Sequence, residues 1–216
     1  MTRTDDVLQR LRAGRVLPVL VVEDPADAAP LGRALATGGL RCAEVTFRTP
    51  HAAESIERMR DAVPALLVGA GTVLDVDRAA AARDAGAAFV VAPGFNPRVV
   101  EYCLSHEIPV FPGICTPTEL EAAMRTGVQA VKFFPAEPMG GLATLRALAS
   151  PYAGVDFIPT GGITAAHLAG YLAFARVVAC GGSWMAPADR VAAKRFDAIR
   201  EEAARTALAA GLELVP

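Results

Sequence analysis

Of the 21 basic residues in this chain only two are lysines, Lys132 and Lys194, and one of them stands where a charge is expensive. The run Ala130-Val131-Lys132-Phe133-Phe134-Pro135-Ala136-Glu137 reads as a short buried strand. Burying a lone ammonium is costly, so a lysine there is either paired or neutralised, and a neutral lysine amine is a nucleophile. Because arginine has taken over nearly every other basic position, the retained lysine points to amine chemistry at residue 132. The other reading is a stem lying on apolar surface with its head in solvent. His51, His106 and His167 are scattered, with no partners at metal-ligand spacing, which argues against a catalytic zinc.

A length of 216 residues suits one α/β barrel or two small domains. The formal net charge of −2 comes without a basic or acidic block, which argues against nucleic acid and membrane surfaces as partners. No apolar run approaches the ~18 residues of a membrane span, and the polar start Met-Thr-Arg-Thr-Asp-Asp has no apolar signal core behind it. Cys42, Cys103, Cys115 and Cys180 form no close pair, as expected of reduced thiols in a cytoplasm.

Positioning Lys132 requires a scaffold, and the chain supplies a regular one. Val7, Leu8 and Leu11 predict a short leading helix over 4–13. Short β-branched runs then alternate with Ala-rich amphipathic segments. The strands read as 16–22, 42–47, 65–70, 89–92, 108–111, 130–134, 156–160 and 177–181. Helical stripes fall at Ala28, Leu31 and Leu35, at Ala52, Ile56, Met59 and Val63, and at Leu120, Ala123 and Met124. A last helix is expected from Ala188 to about Ala209, with Lys194 a solvated residue upon it. Eight strand-then-helix units predict parallel strands, and closure into a (β/α)8 TIM barrel removes the sheet edges. A doubly wound open sheet is the alternative. No linker divides the chain, so a single barrel domain is expected over residues 1–216.

In a barrel, chemistry collects where strands end. Period-two alternation sends Val45 and Phe47 toward the helices and Glu44, Thr46 and Arg48 inward. The same alternation sends Lys132 inward, able to share an interior with Glu44. Glu44 and Arg48 could equally form a structural ion pair. The strand ends Gly69-Ala70-Gly71-Thr72-Val73, Ala92-Pro93-Gly94 and Phe111-Pro112-Gly113 are individually weak signals. Thr160-Gly161-Gly162 and Gly181-Gly182-Ser183, after strands seven and eight, lie where barrels often hold a phosphate on backbone N–H groups, although tight turns explain them too.

Glu44-Val45-Thr46-Phe47-Arg48-Thr49, Gly69-Ala70-Gly71-Thr72-Val73, Lys132-Phe133-Phe134-Pro135-Ala136-Glu137, Pro159-Thr160-Gly161-Gly162-Ile163 and Gly181-Gly182-Ser183-Trp184 together resemble the 2-keto-3-deoxy-6-phosphogluconate (KDPG) aldolases, also called KHG/KDPG aldolases. The resemblance runs essentially the whole length, in order and with matching spacing. Departures are small: Phe47 where leucine is common, Cys115 where serine is common, and Pro138-Met139 before Gly140-Gly141. The resemblance implies a metal-independent class I aldolase without a cofactor, assembled as a homotrimer in the cytoplasm. Its substrate would be a phosphorylated keto acid, cleaved to pyruvate and glyceraldehyde 3-phosphate, with 4-hydroxy-2-oxoglutarate as a second substrate. Lys132 would form the Schiff base and Glu44 would act as general acid/base. Arg48 and Thr72 would hold the pyruvate carboxylate, and Pro93 and Phe134 would wall its methyl. Thr160 would contact the sugar hydroxyls, and Gly161, Gly162, Gly182 and Ser183 the phosphate. Threonine at 160 marks the gluconate type, where the galactonate type carries an apolar residue. A galactonate aldolase, a phosphate-binding isomerase or synthase, and a catalytically dead scaffold remain the alternatives.

Overall fold

The computed structural model describes residues 2–213. Helix α1 (Arg3–Gly14) is started by a capping box, in which the Thr2 hydroxyl accepts from the Asp5 N–H and the Asp5 carboxylate accepts from the Thr2 N–H. Strand and helix then alternate. β1 (Val16–Leu20) precedes α2 (Ala28–Thr37), β2 (Cys42–Thr46) precedes α3 (Ala52–Ala62), and β3 (Leu67–Gly71) precedes α4 (Val76–Asp84). β4 (Val90–Val91) leads to α5 (Pro97–Ser105), and β5 (Val110–Phe111) and β6 (Gly113–Ile114) lead to α6 (Pro117–Met124). β7 (Ala130–Phe133), α7 (Gly141–Ala149), β8 (Asp156–Pro159), α8 (Leu168–Leu172) and β9 (Cys180–Gly182) follow. Two final helices are α9 (Ala188–Ala192) and α10 (Phe196–Ala209).

All pairings are parallel, as crossover helices require. The strands form a curled six-stranded sheet, β5-β4-β3-β2-β1-β9, and a three-stranded sheet, β6-β7-β8. Pro112 separates β5 from β6. It has no N–H to donate; the strand expected over 108–111 ladders only at Val110–Phe111, on β4, and an unexpected second piece, β6, follows it and pairs with β7. Its carbonyl still accepts from the Lys132 N–H at 2.8 Å. On the other side, isolated bridges Phe157↔Val177 and Thr160↔Gly181 run between the β8 and β9 stretches.

Burial follows the alternation read from sequence. Val45, Val131 and Phe133 lie in the larger cluster, against the helices. Cys42 and Ala130, two residues from Glu44 and Lys132, lie in a second, inner cluster. That cluster gathers Leu17, Leu67, Phe89, Phe111 and Ile158 from successive strands around Leu8 and Leu11 of α1. The leading helix thus plugs one end of the sheet's concave side. The expected stripes are buried at Ala28, Leu31, Leu35, Ala52, Ile56, Met59, Leu120 and Ala123.

Three expectations need correction. The stretch over 89–92 ladders only at Val90–Val91, just before Pro93. The stretch over 177–181 changes partner midway: the Val178 N–H donates to Phe157 at 2.8 Å, whereas Cys180 and Gly182 pair with β1. The last helix is broken. Lys194 takes a left-handed φ of 53°, ending α9 before α10 begins. Lys194 stays exposed, but it is tethered, with its ammonium 3.2 Å from the Asp27 carboxylate and 3.8 Å from that of Asp24. No helix among the described residues is long and apolar enough to cross a membrane.

Leu11 is fully buried at the centre of the plug. Leu11→Ala is expected to lower unfolding stability by about 2–5 kcal/mol, read by urea denaturation. A loss below about 1 kcal/mol would mean that α1 contributes little to the inner core.

Candidate active site

Lys132 sits mid-strand in β7, between Gly113 of β6 and Ile158 of β8 in register. Glu44 sits mid-strand in β2, between Val19 of β1 and Gly69 of β3. β2 belongs to the six-stranded sheet and β7 to the three-stranded one, and the two sheets bring these positions together across the interior. The Lys132 amine donates to Glu44 Oε1 at 3.3 Å, and the two residues are 4% and 0% exposed. Thus the lysine head is buried and paired, which removes the surface-stem reading. Glu44 also does not pair with Arg48, so the structural Glu44–Arg48 ion pair is not formed.

The pair is incompletely satisfied. Glu44 Oε2 is buried and has no hydrogen-bond partner among the described residues. A buried carboxylate oxygen left unpaired is costly. The Lys132 amine also lies 5.3 Å from the centroid of the Phe134 ring.

Two glycines make this packing possible. A Cβ at Gly71 would lie 2.1 Å from Glu44 Oε1, so only glycine there lets the carboxylate reach Lys132. A Cβ at Gly113 would lie 2.1 Å from the Pro93 carbonyl, so glycine lets the end of β4 close against the strand beside Lys132.

A cavity of about 400 Å³ is bounded by Arg48, Phe134, Thr160, Gly161, Gly162, Gly182 and Ser183; Lys132 and Glu44 do not themselves line it. Those seven residues, expected from strand ends far apart in sequence, are thereby brought to one place. Phe134 belongs to both neighbourhoods and joins the cavity to the amine. Arg48 lies beyond the end of β2 rather than on it, exposed and with no ion pair among the described residues. Thr46, expected to face inward with Glu44, is buried with its hydroxyl donating to the Leu20 carbonyl at 2.7 Å. Thr160 is buried, and its hydroxyl reaches only the Ile158 carbonyl, at a long 3.4 Å.

Thr72 and Pro93 do not line this cavity. Both are half-buried at neighbouring strand ends. Thr72 follows Gly71 with a left-handed φ of 56°, and the Phe47 N–H donates to the Gly71 carbonyl at 2.8 Å, which places the Arg48 and Thr72 turns side by side. The cavity also takes in Val21, Thr164 and Trp184, for which no role was expected. Val21 is in step with Val19 on the first strand. Trp184 closes the stretch Gly181-Gly182-Ser183-Trp184, and its indole N–H donates to Thr206 of α10 at 3.1 Å.

Residues 7–202 match the family model for KDPG and KHG aldolases. This chain belongs to that family. It is 54% identical to the 2-dehydro-3-deoxy-phosphogluconate aldolase of Treponema pallidum over 193 residues, covering 89% of this chain and 92% of the relative. It is 43% identical to the KHG/KDPG aldolase of Escherichia coli K12, covering 88% and 89% of the two chains. Among solved structures, the KDPG aldolase of Legionella pneumophila superposes with a TM-score of 0.87 at 34% identity, covering 92% of this chain and 97% of the other. That enzyme was captured with pyruvate as a covalent carbinolamine.

Glu44→Gln keeps the size and the hydrogen bond but removes proton transfer, so turnover is expected to fall by ~10²–10⁴-fold. Gly71→Ala should lower turnover comparably without touching either ionisable residue, because its methyl occupies the carboxylate's place. Steady-state kinetics on both variants, with circular dichroism to verify folding, checks this. Near-full turnover in Glu44→Gln would leave Glu44 as the lysine's structural counterion only.

Proposed function

We propose that this chain is a class I aldolase that cleaves 2-keto-3-deoxy-6-phosphogluconate to pyruvate and glyceraldehyde 3-phosphate through a Schiff base on Lys132. The observation that carries this reading is the buried Lys132–Glu44 pair with its one free carboxylate oxygen, together with a cavity rimmed by an arginine and two glycine-rich turns. A protonated amine is not nucleophilic, and a carboxylate 3.3 Å away is placed to accept its proton.

The steps then follow. The amine adds to the C2 ketone to give a carbinolamine, and loss of water leaves an iminium. Glu44 takes the proton of the C4 hydroxyl as the C3–C4 bond breaks. The bonding pair flows into the iminium, giving an enamine and releasing glyceraldehyde 3-phosphate. Protonation at C3 and hydrolysis by water release pyruvate and regenerate Lys132. Arg48, whose planar fork matches two carboxylate oxygens, and Thr72 hold the pyruvate carboxylate. Phe134 and Pro93 wall the methyl, Thr160 meets the sugar hydroxyls, and Gly161, Gly162, Gly182 and Ser183 take the phosphate. The same machinery cleaves 4-hydroxy-2-oxoglutarate to pyruvate and glyoxylate, since that substrate has the same C2 ketone for Lys132 and the same C4 hydroxyl for Glu44, and lacks only the phosphate.

The scaffold of this reading is one closed (β/α)8 barrel forming a single domain. Its supports are the bridges between the β8 and β9 stretches, the continuity of β5 and β6 through Pro112, and an inner cluster drawing on successive strands. Family resemblance adds assembly as a homotrimer and a cytoplasmic location.

Only Lys132 should react. Lys194 is exposed, and hydrogen bonding to Asp27, aided by the Asp27 and Asp24 charges, raises its pKa above the usual lysine value, keeping it protonated. Pyruvate with borohydride is therefore expected to add one reduced adduct per chain, on Lys132. Native mass spectrometry of the product reads both the adduct count and the trimer. An unmodified Lys132 peptide in an inactivated sample would overturn the mechanism.

Substrate choice rests on Thr160. Its weakly engaged hydroxyl is available to the C4 oxygen of one epimer and is left unpaired with the other. An unmade buried hydrogen bond costs ~1–3 kcal/mol, about 5- to 150-fold in discrimination. The gluconate epimer should be preferred over the galactonate epimer, and Thr160→Val should shrink the ratio of kcat/KM values. Equal values in the wild type, or an unchanged ratio in Thr160→Val, would remove Thr160 from substrate selection.

A further inference from the structure

Glu137 closes the stretch that carries the lysine, yet no step above uses it. It lies in the turn after β7, where the chain stays bound to the turn after β8. The Ala136 N–H donates to the Thr160 carbonyl at 2.8 Å and the Glu137 N–H to the Gly161 carbonyl at 3.0 Å. The Glu137 side chain runs beneath Gly162, so close that a Cβ on that glycine would lie 2.8 Å from Glu137 Cβ and 3.2 Å from its Cγ. Its carboxylate then points behind the turn. Oε1 accepts from the Tyr171 hydroxyl at 2.6 Å, and Oε2 lies 3.8 Å from His167 Nε2. Tyr171 is 2% exposed and packed in the main core, so its hydroxyl is a fixed point. The His167 imidazole is oriented as well: its Nδ1 accepts from the Thr164 N–H at 3.2 Å, which leaves the proton on the nitrogen facing Glu137.

We propose that Glu137 is a positioning residue, a strut from the core tyrosine of α8 to the Gly161–Gly162 turn, and that it sets affinity for the phosphorylated end of the substrate. This rests on the aldolase reading and on the phosphate assignment to that turn. Gly161 and Gly162 take φ values of 103° and 77°. Glycine in such conformations has the most backbone freedom to lose. A turn that bound phosphate through its N–H groups would pay that ordering cost at each binding event unless something held it beforehand. Glu137 is the group in contact with Gly162 that is itself hydrogen-bonded to the core. Burial, and then the hydrogen bond to Glu137, push the Tyr171 phenol well above its ordinary pKa, so it remains a donor throughout the working pH range.

A merely structural role would weaken both activities alike, and a strut should not. Tyr171→Phe removes the anchoring hydroxyl while keeping the ring. KM for the phosphorylated substrate, and the inhibition constant for inorganic phosphate, are expected to rise about tenfold. Both kcat and KM for unphosphorylated 4-hydroxy-2-oxoglutarate should stay within about twofold. Glu137→Gln keeps an acceptor for Tyr171 and should shift the phosphorylated KM by only about threefold, whereas Glu137→Ala should match Tyr171→Phe. Equal losses on both substrates, or unchanged phosphate inhibition in Tyr171→Phe, would overturn the strut while leaving the aldolase reading intact. Absence of cleavage of either substrate by the wild-type enzyme would instead overturn the reading beneath it.

Discussion

A lysine amine and a carboxylate 3.3 Å apart in an interior that excludes water set the terms for everything around them. Two charges in such a place are stable only if each compensates the other, because desolvation of either alone outweighs what the fold can spare. The two sheets must therefore bring residues 44 and 132 to the same depth from two separate strands, and the neighbouring positions must stay out of the way. Gly71 yields its side-chain volume to the Glu44 carboxylate, and Gly113 yields its own to the Pro93 carbonyl. The inner core is kept apolar immediately below, where Cys42 and Ala130 take the inward positions that precede the pair. The same interaction holds an amine against a carboxylate and leaves one carboxylate oxygen uncommitted.

The molecule divides its labour along the strand axis. At one end α1 closes the concave side with Val7, Leu8 and Leu11, sealing it with apolar contact. At the other end the strands run out into turns rich in glycine, where backbone groups can face a ligand. The Lys132–Glu44 pair lies between. An exposed Arg48 beyond the end of β2 and a buried Lys132 within β7 illustrate the division: one cation meets solvent, and the other is withdrawn from it and paired with a carboxylate. Lys194 shows the opposite solution to the same chemistry. It is exposed and held by Asp27 and Asp24, a pairing that raises its pKa and keeps it protonated.

The turns themselves are held from behind. The chain after β7 remains hydrogen-bonded to the chain after β8, and Glu137 ties that pair of turns to a buried tyrosine. Phe134 occupies the junction, 5.3 Å from the amine and on the wall of the cavity. Three residues of one short segment thus have distinct neighbours: Lys132 meets Glu44, Phe134 lines the cavity, and Glu137 meets Tyr171 beside Gly162. That concentration accounts for the conspicuous mixture of charge and apolar bulk in so short a stretch.

Much of this was legible in the sequence alone, because the information is local. Period-two alternation assigned Lys132 and Glu44 to the interior and Val45, Val131 and Phe133 to the helices, and pleating makes that assignment independent of the rest of the fold. Helical stripes and strand spacing set the element order for the same reason, and the scarcity of lysine singled out Lys132. What tertiary structure decided were partners. Whether Glu44 meets Arg48, four residues away, or Lys132, 88 residues away, depends on how the two sheets are set against each other, which no local pattern encodes. Pro112 was visible, but the pairing of β5 before it with β4 and of β6 after it with β7 required knowing which strands flank it. The break at Lys194 was hidden because Ala-rich sequence on both sides favours helix, and a tertiary ion pair to Asp27 accompanies the left-handed turn. Glu137 stood in plain view at the end of the signature stretch. Its neighbours Tyr171 and Gly162 are visible only in the folded chain, since they come from helix α8 and from the turn after β8.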